Sequence, residues 1–206
     1  MPGTVSARIK SLLCFTILCL IPASLSASFK VIRVDNEPLR WTITTAHSSL
    51  QVFLAADSNL TAGWFGPLSG PRLFETPESH RPREAGTTIR EIPYRGGYQE
   101  LEPALEVVFE DNVRELELVY SGCETGETGG FPFIRFDLRD THYPLKVSEY
   151  IRILPELDIY EKWLVLENTG KKKILVENAQ SGSLLLPPGQ YELTQISGEW
   201  GREFHP

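Results

Sequence analysis

Side chains that ligate soft metals or attack carbonyl carbons are scarce here: 206 residues hold three cysteines, one methionine and four histidines. Cys14 and Cys19 fall in an apolar N-terminal stretch, so Cys123 is the only cysteine in the rest of the chain. A single cysteine excludes an internal disulfide, and stability must then come from a large core. Cys123 follows a strand-like run, between Gly122 and Glu124, and reads as a structural thiol with no histidine near it in sequence. His47, His80, His142 and His205 do not recur at a metal-ligand spacing, so neither a metal nor another cofactor is expected. Basic charge is also short. The formal net charge is −7 and no basic stripe stands out, which argues against a nucleic-acid partner. Lys171-Lys172-Lys173 is short enough to be a solvated turn. Sustained helical periodicity is missing as well.

The N-terminus carries one processing signal. Arg8 and Lys10 precede an apolar run at 11–21 (SLLCFTILCLI), then Pro22 and the small residues of 23–27. That order reads as a secretory signal peptide over 1–27, with a secreted or periplasmic product. The apolar run is too short for a stable membrane span, which needs about 20 residues. Its removal leaves 18 basic against 27 acidic groups, a net −9. Residues 28–206 are long enough for one domain with one core. Asn59-Leu60-Thr61 is a glycosylation sequon, relevant only in a eukaryotic host.

Branched and aromatic runs at hairpin spacing fill that domain. Strands are expected at 29–34, 40–45, 50–55 and 60–65, with turn clusters at 35–38 and 47–49. The stretch 66–97 differs: five prolines, five glycines and five arginines interrupt it and apolar periodicity vanishes. A structureless loop of that length is usually functional or disordered. Strand signals resume at 103–109 and 114–120, joined by a hairpin turn at 110–112. In the second run Leu116 and Leu118 face one way, and Glu115, Glu117 and Val119 the other. Further strands are expected at 133–138, in a long hairpin either side of Pro155-Glu156, and at 173–177, 183–186 and 191–196. In 157–166, Leu157, Ile159, Trp163 and Val165 share one face, and Tyr160, Leu164 and Leu166 the other. A strand apolar on both faces is expected to be covered on both. The class is therefore all-β, with two packed antiparallel sheets; a lectin-type jelly roll is the competing architecture.

Four segments in order carry a likeness: Gly63-Trp64-Phe65-Gly66; Glu91-Ile92-Pro93-Tyr94-Arg95-Gly96 followed by Pro103-Ala104-Leu105; Tyr143-Pro144-Leu145-Lys146-Val147 running to Asn168-Thr169-Gly170; and Ser197-Gly198-Glu199-Trp200-Gly201-Arg202-Glu203. With these, the chain resembles the N-terminal β-supersandwich domain of glycoside hydrolase family 36, the α-galactosidases. It departs where Gln99-Glu100-Leu101-Glu102 replaces the family's arginine, and at Phe131-Pro132-Phe133. The resemblance implies a galactose-mutarotase-like supersandwich.

It also implies that chemistry lies elsewhere. The family's two catalytic aspartates sit in a (β/α)8 barrel, at the C-terminal face where such barrels work. The chain stops at Pro206, near the end of the sandwich, so it is expected to be inactive alone, whether truncated product, fragment or stand-alone domain. No catalytic residue is assigned. Glu100, Glu102, Glu106, Glu115 and Glu117 read as solvated strand-face acids. The resemblance points to Trp64 as a stacking surface for galactose, against the alternative of a core or edge aromatic, and to Arg72 as a partner for a sugar hydroxyl. Trp200 and Arg202 are read as pinning the sandwich to a barrel. The implied partner is a galactoside held with a catalytic barrel or neighbouring subunit, and the family's habit of assembling implies a homo-oligomer. The alternative is a stand-alone carbohydrate-binding or assembly sandwich without activity.

Overall fold

The computed structural model describes residues 31–36, 39–68, 90–96, 103–182, 184, 190–192, 197–199 and 202–205. Residues 1–27, read above as a signal peptide, and Arg72 and Trp200 lie outside them. Alternating apolar residues make two four-stranded antiparallel meanders. The first is β1 (Ile32–Asn36), β2 (Leu39–Thr44), β3 (Ser48–Leu54) and β4 (Leu60–Pro67). Next in the chain is β5 (Leu105–Phe109). The second meander is β6 (Leu118–Thr128), β7 (Phe131–Asp140), β8 (Leu145–Leu154) and β9 (Ile159–Asn168), and the chain continues into β10 (Ile174–Ala179). β11 (Ser197–Glu199) and β12 (Arg202–His205) form a small hairpin. The all-β two-sheet reading stands, and the helical element among the described residues is one 3-10 turn, Pro155–Leu157.

Register decides which side chains enter the core. On β2 and β3, Trp41, Ile43, Leu50 and Val52 point inward; on β7 and β8, Ile134, Phe136, Val147, Ile151 and Ile153 meet them. Trp41 packs edge-on to Phe136 with centroids 4.9 Å apart, and Phe65 packs edge-on to Tyr160 at 5.9 Å. Each fully buried aliphatic or aromatic side chain contributes about 1.5–3 kcal/mol of transfer free energy. At one end the sheets are tied by polar groups. Asp158, at φ 57 after the 3-10 turn, accepts hydrogen bonds from Thr45 and, at 2.7 Å, from Ser48. These bonds hold the Asp158 carboxyl below its ordinary pKa.

Several expectations need correction. The turn at 110–112 forms, with Asn112 at φ 67 and a 2.9 Å bond from Phe109 N–H to Val113 O. Yet β5 does not pair with the strand that follows it; it pairs with β10, Val107 opposite Val176. Residues 114–117 are not strand, although Leu116 and Leu118 are buried as their alternation implies. Cys123 lies within β6 and is exposed. From Ile159 on the faces of β9 divide as read, with Leu157 in the 3-10 turn instead, but the outer face is not fully covered: Ile159 is 43 % and Val165 46 % exposed. Of the strands expected at 183–186 and 191–196, the described residues 184, 191 and 192 are not in strand.

Candidate functional site

The hub of the molecule's polar architecture is the short segment 90–96, which sequence composition had merged into a loop. Arg90, Glu91, Ile92 and Tyr94 are all buried. Backbone bonds fix both ends: Glu91 N–H donates to Leu60 O at 2.9 Å, Arg95 N–H to Leu105 O at 3.1 Å, and Leu116 N–H to Arg95 O at 2.9 Å. At Gly96, φ is +150°, and a Cβ would stand 2.1 Å from Leu116 O, so only glycine lets the chain pass here. The Arg90 guanidinium lies 3.9 Å from the Tyr94 ring centre and donates to Gly96 O at 3.0 Å. Tyr94 donates its hydroxyl to Asn59 Oδ1 at 3.0 Å, and burial raises its pKa.

To one side of this segment opens a cleft of about 670 Å³, lined by Asp57, Asn59, Tyr94, Glu117, His142 and Tyr143 among others. Its polar tips bind one another: His142 Nε2 and Glu117 Oε2 are 2.9 Å apart, and Thr141 donates to the same oxygen. Asp140 shapes the rim by accepting from the backbone N–H groups of Glu117, His142 and Tyr143 at 2.8, 2.9 and 2.7 Å. The cleft can hydrogen-bond a polar ligand. Among the described residues no group of three His, Cys, Asp or Glu side chains could hold a metal ion.

Buried in the protein interior is a charge cluster. Glu149 sits on the inward face of β8 between Val147 and Ile151, with its side chain fully buried. Lys162, opposite Ile151 on β9, places Nζ 2.9 Å from Glu149 Oε1 and also bonds Glu91. Burial pushes the Glu149 carboxyl up to about 8, with Lys162 opposing that rise and Glu91 adding to it. Burial also works against the Lys162 charge, but Glu91 and Glu149 outweigh it and raise the ammonium above its ordinary pKa. Sequence reading missed this cluster. Its signal was a glutamate in the apolar register of Leu145, Val147, Ile151 and Ile153.

Trp64 is on β4, facing away from the core that Phe65 enters. A bulge at Gly63 shifts the register, leaving Trp64 opposite Gln51 and Ala62 opposite Val52. A side chain at Gly63 would strike Gln51 O at 2.9 Å, and one at Gly66 would strike Trp64 Cζ2 at 2.7 Å. The indole thus lies over the Gly66 α-carbon, and Trp64 is 6 % exposed. Arg72, its expected companion, lies outside the described residues.

The outer face of the second sheet carries an aromatic ladder. Tyr150 and Trp163, opposite each other on β8 and β9, stack at 5.0 Å with planes 6° apart. Arg135 approaches the Tyr150 ring at 5.9 Å and Arg152 the Trp163 ring at 6.0 Å.

Comparisons with known proteins agree with this architecture. The crystal structure of an α-galactosidase from Lactobacillus brevis superposes with TM-score 0.74 at 21 % identity, over 84 % of this chain and 27 % of that one. The galactosidase domain of the α-galactosidase-sucrose kinase AgaSK gives 0.61 at 19 % identity, over 73 % and 25 %. The family 36 α-galactosidase AgaB from Geobacillus stearothermophilus gives 0.61 at 15 % identity, over 73 % and 24 %. The chain therefore spans about a quarter of the length of these proteins. A search of curated proteins found no match. The family described as "Glycosyl hydrolase family 36 N-terminal domain" matches residues 65–206, and the chain belongs to that family.

Proposed function

We propose that this chain is the non-catalytic N-terminal domain of an α-galactosidase-like glycoside hydrolase, exported through its N-terminal signal segment. The observation that carries this reading is one of coverage. The match takes in most of the chain, while the chain answers to only 27 % of the Lactobacillus brevis α-galactosidase. Glycoside hydrolysis requires two carboxyl groups flanking the scissile bond. Among the described residues the most buried carboxyl groups, Glu91 and Glu149, are 2 % and 0 % exposed and share one lysine, so no sugar reaches them. In this proposal the catalytic acids belong to a barrel carried by a longer polypeptide or a neighbouring subunit.

Trp64 and Arg72 are the proposed sugar contacts, on the strength of the resemblance around them. Stacking by Trp64 demands that an indole now 6 % exposed be uncovered at the assembled site. The decisive experiment is turnover of a chromogenic α-galactoside by the purified chain. None is expected, and measurable release of chromophore refutes the non-catalytic reading. A second reading, an assembly or carbohydrate-binding sandwich, is favoured by the Tyr150–Trp163 ladder beside exposed Ile159 and Val165. It predicts galactoside binding or self-association by the chain alone, weakened by Trp163→Ala.

A further inference from the structure

Two carboxylates and one ammonium in a dry place cannot all be charged without leaving a surplus negative charge. Glu149 is completely buried, Glu91 is 2 % exposed and the Lys162 side chain 12 %. The chain at Gly182 closes over the lysine stem, where a Cβ would stand 3.2 Å from Lys162 Cε. Neither oxygen of Glu149 receives a well-directed hydrogen bond among the described residues, even though Oε1 is 2.9 Å from Nζ. An ionised carboxylate held that way is heavily penalised, and one proton on the cluster removes the penalty.

The three groups come from three elements. Glu149 is on β8 and Lys162 on β9, both within the second sheet; Glu91 belongs to the segment 90–96, which is bonded at Leu60 to the first. Among the described residues, the charged groups that bear on Glu149 are Lys162 from β9 and Glu91 from the segment. Arg90 is turned to the Tyr94 ring and the Gly96 carbonyl. On its own strand, Lys146 and Arg152 occupy outward positions and pair with Glu167 and Glu161. From β7 its register partner is Phe136.

We infer that Glu91, Lys162 and Glu149 form a proton-dependent latch: with Glu149 protonated it locks residues 90–96 onto the second sheet, and losing that proton as pH rises loosens them. The sign follows from linkage. Glu149 titrates higher in the closed state than in an opened one, so opening releases a proton between the two values. Opening therefore becomes easier as pH rises, by up to about tenfold per pH unit within that window.

Amide hydrogen exchange of the full chain tests it, read by mass spectrometry and corrected for intrinsic rates. Protection of residues 90–96 is expected to fall at least about tenfold from about pH 6 to about pH 8, while β2 and β7 keep theirs. In Glu149→Gln, a neutral isostere, the fall is expected to shrink to within about twofold. Wild-type protection that is flat with pH overturns the latch, as does an equal fall in Glu149→Gln. Should that variant not fold, the infrared carbonyl band of a protonated carboxyl decides on the wild type: present at about pH 6.5 it supports the latch, and absent it overturns it.

Discussion

Replacing Lys162 with methionine removes a charge and keeps most of the volume. The side chain it replaces is 12 % exposed and serves two carboxyl groups that are 2 % and 0 % exposed. Nothing else among the described residues compensates Glu149, so the loss is that of breaking a buried pair from one side, about 3–5 kcal/mol at neutral pH. With an m-value of about 2 kcal/mol/M the urea midpoint drops by about 2 M. The pH dependence has a definite sign. Burial raises Glu149 to about 8, so the native state holds a proton that the unfolded chain has shed above its ordinary carboxyl value. Stability from this group is fully present below that ordinary value and is lost as pH rises toward 8. Without the lysine the surplus charge is larger, so the gap between variant and wild type widens from about pH 5 to about pH 8. Replacing all three residues with apolar ones of similar volume is expected to restore stability to within about 1 kcal/mol of wild type. Equilibrium urea unfolding at several pH values reads all of this. A Lys162→Met loss below about 1 kcal/mol, or one that does not change with pH, refutes the electrostatic account.

Asp140→Ala strips the acceptor from three backbone N–H groups at the cleft rim, and a loss of about 3 kcal/mol is expected in chemical denaturation. Gly66→Ala drives a methyl into the Trp64 ring and is expected to cost about 1–3 kcal/mol and to shift tryptophan emission, which fluorescence at matched folding conditions checks. Arg33→Ala breaks an ion pair with Asp35 in which both side chains are about half exposed, and its effect on the thermal midpoint is expected to be within error, below about 0.5 kcal/mol.

Most of the layered architecture was legible because strand alternation is a local property. The inward and outward sets on β8 and β9 follow from period-two spacing, and the Pro155-Glu156 turn separates them as read. Pairing between distant segments is not local, so nothing in 103–109 announced that its partner would be 174–179 rather than the next strand. Composition hid the burial of 90–96. Proline, glycine and arginine there suggested a loop, and the segment is irregular apart from isolated bridges, but Arg90 turns to the Tyr94 ring and buried carbonyls, and Gly96 provides a close approach to Leu116. Trp64 was read as a sugar platform or a core or edge aromatic; its orientation depends on a one-residue bulge at Gly63 that no alternation rule foretells.

The clasp between β5 and β10 has a consequence for biogenesis. As the polypeptide emerges, each strand of the second meander can zip to the one just made, but β5 stays without its ladder until β10 arrives. Leu105, Val107 and Phe109, all buried in the finished fold, therefore gain this strand partner only after an entire sheet has been synthesised. A nascent chain that stops before β10 leaves one edge of β5 open to pairing with another polypeptide.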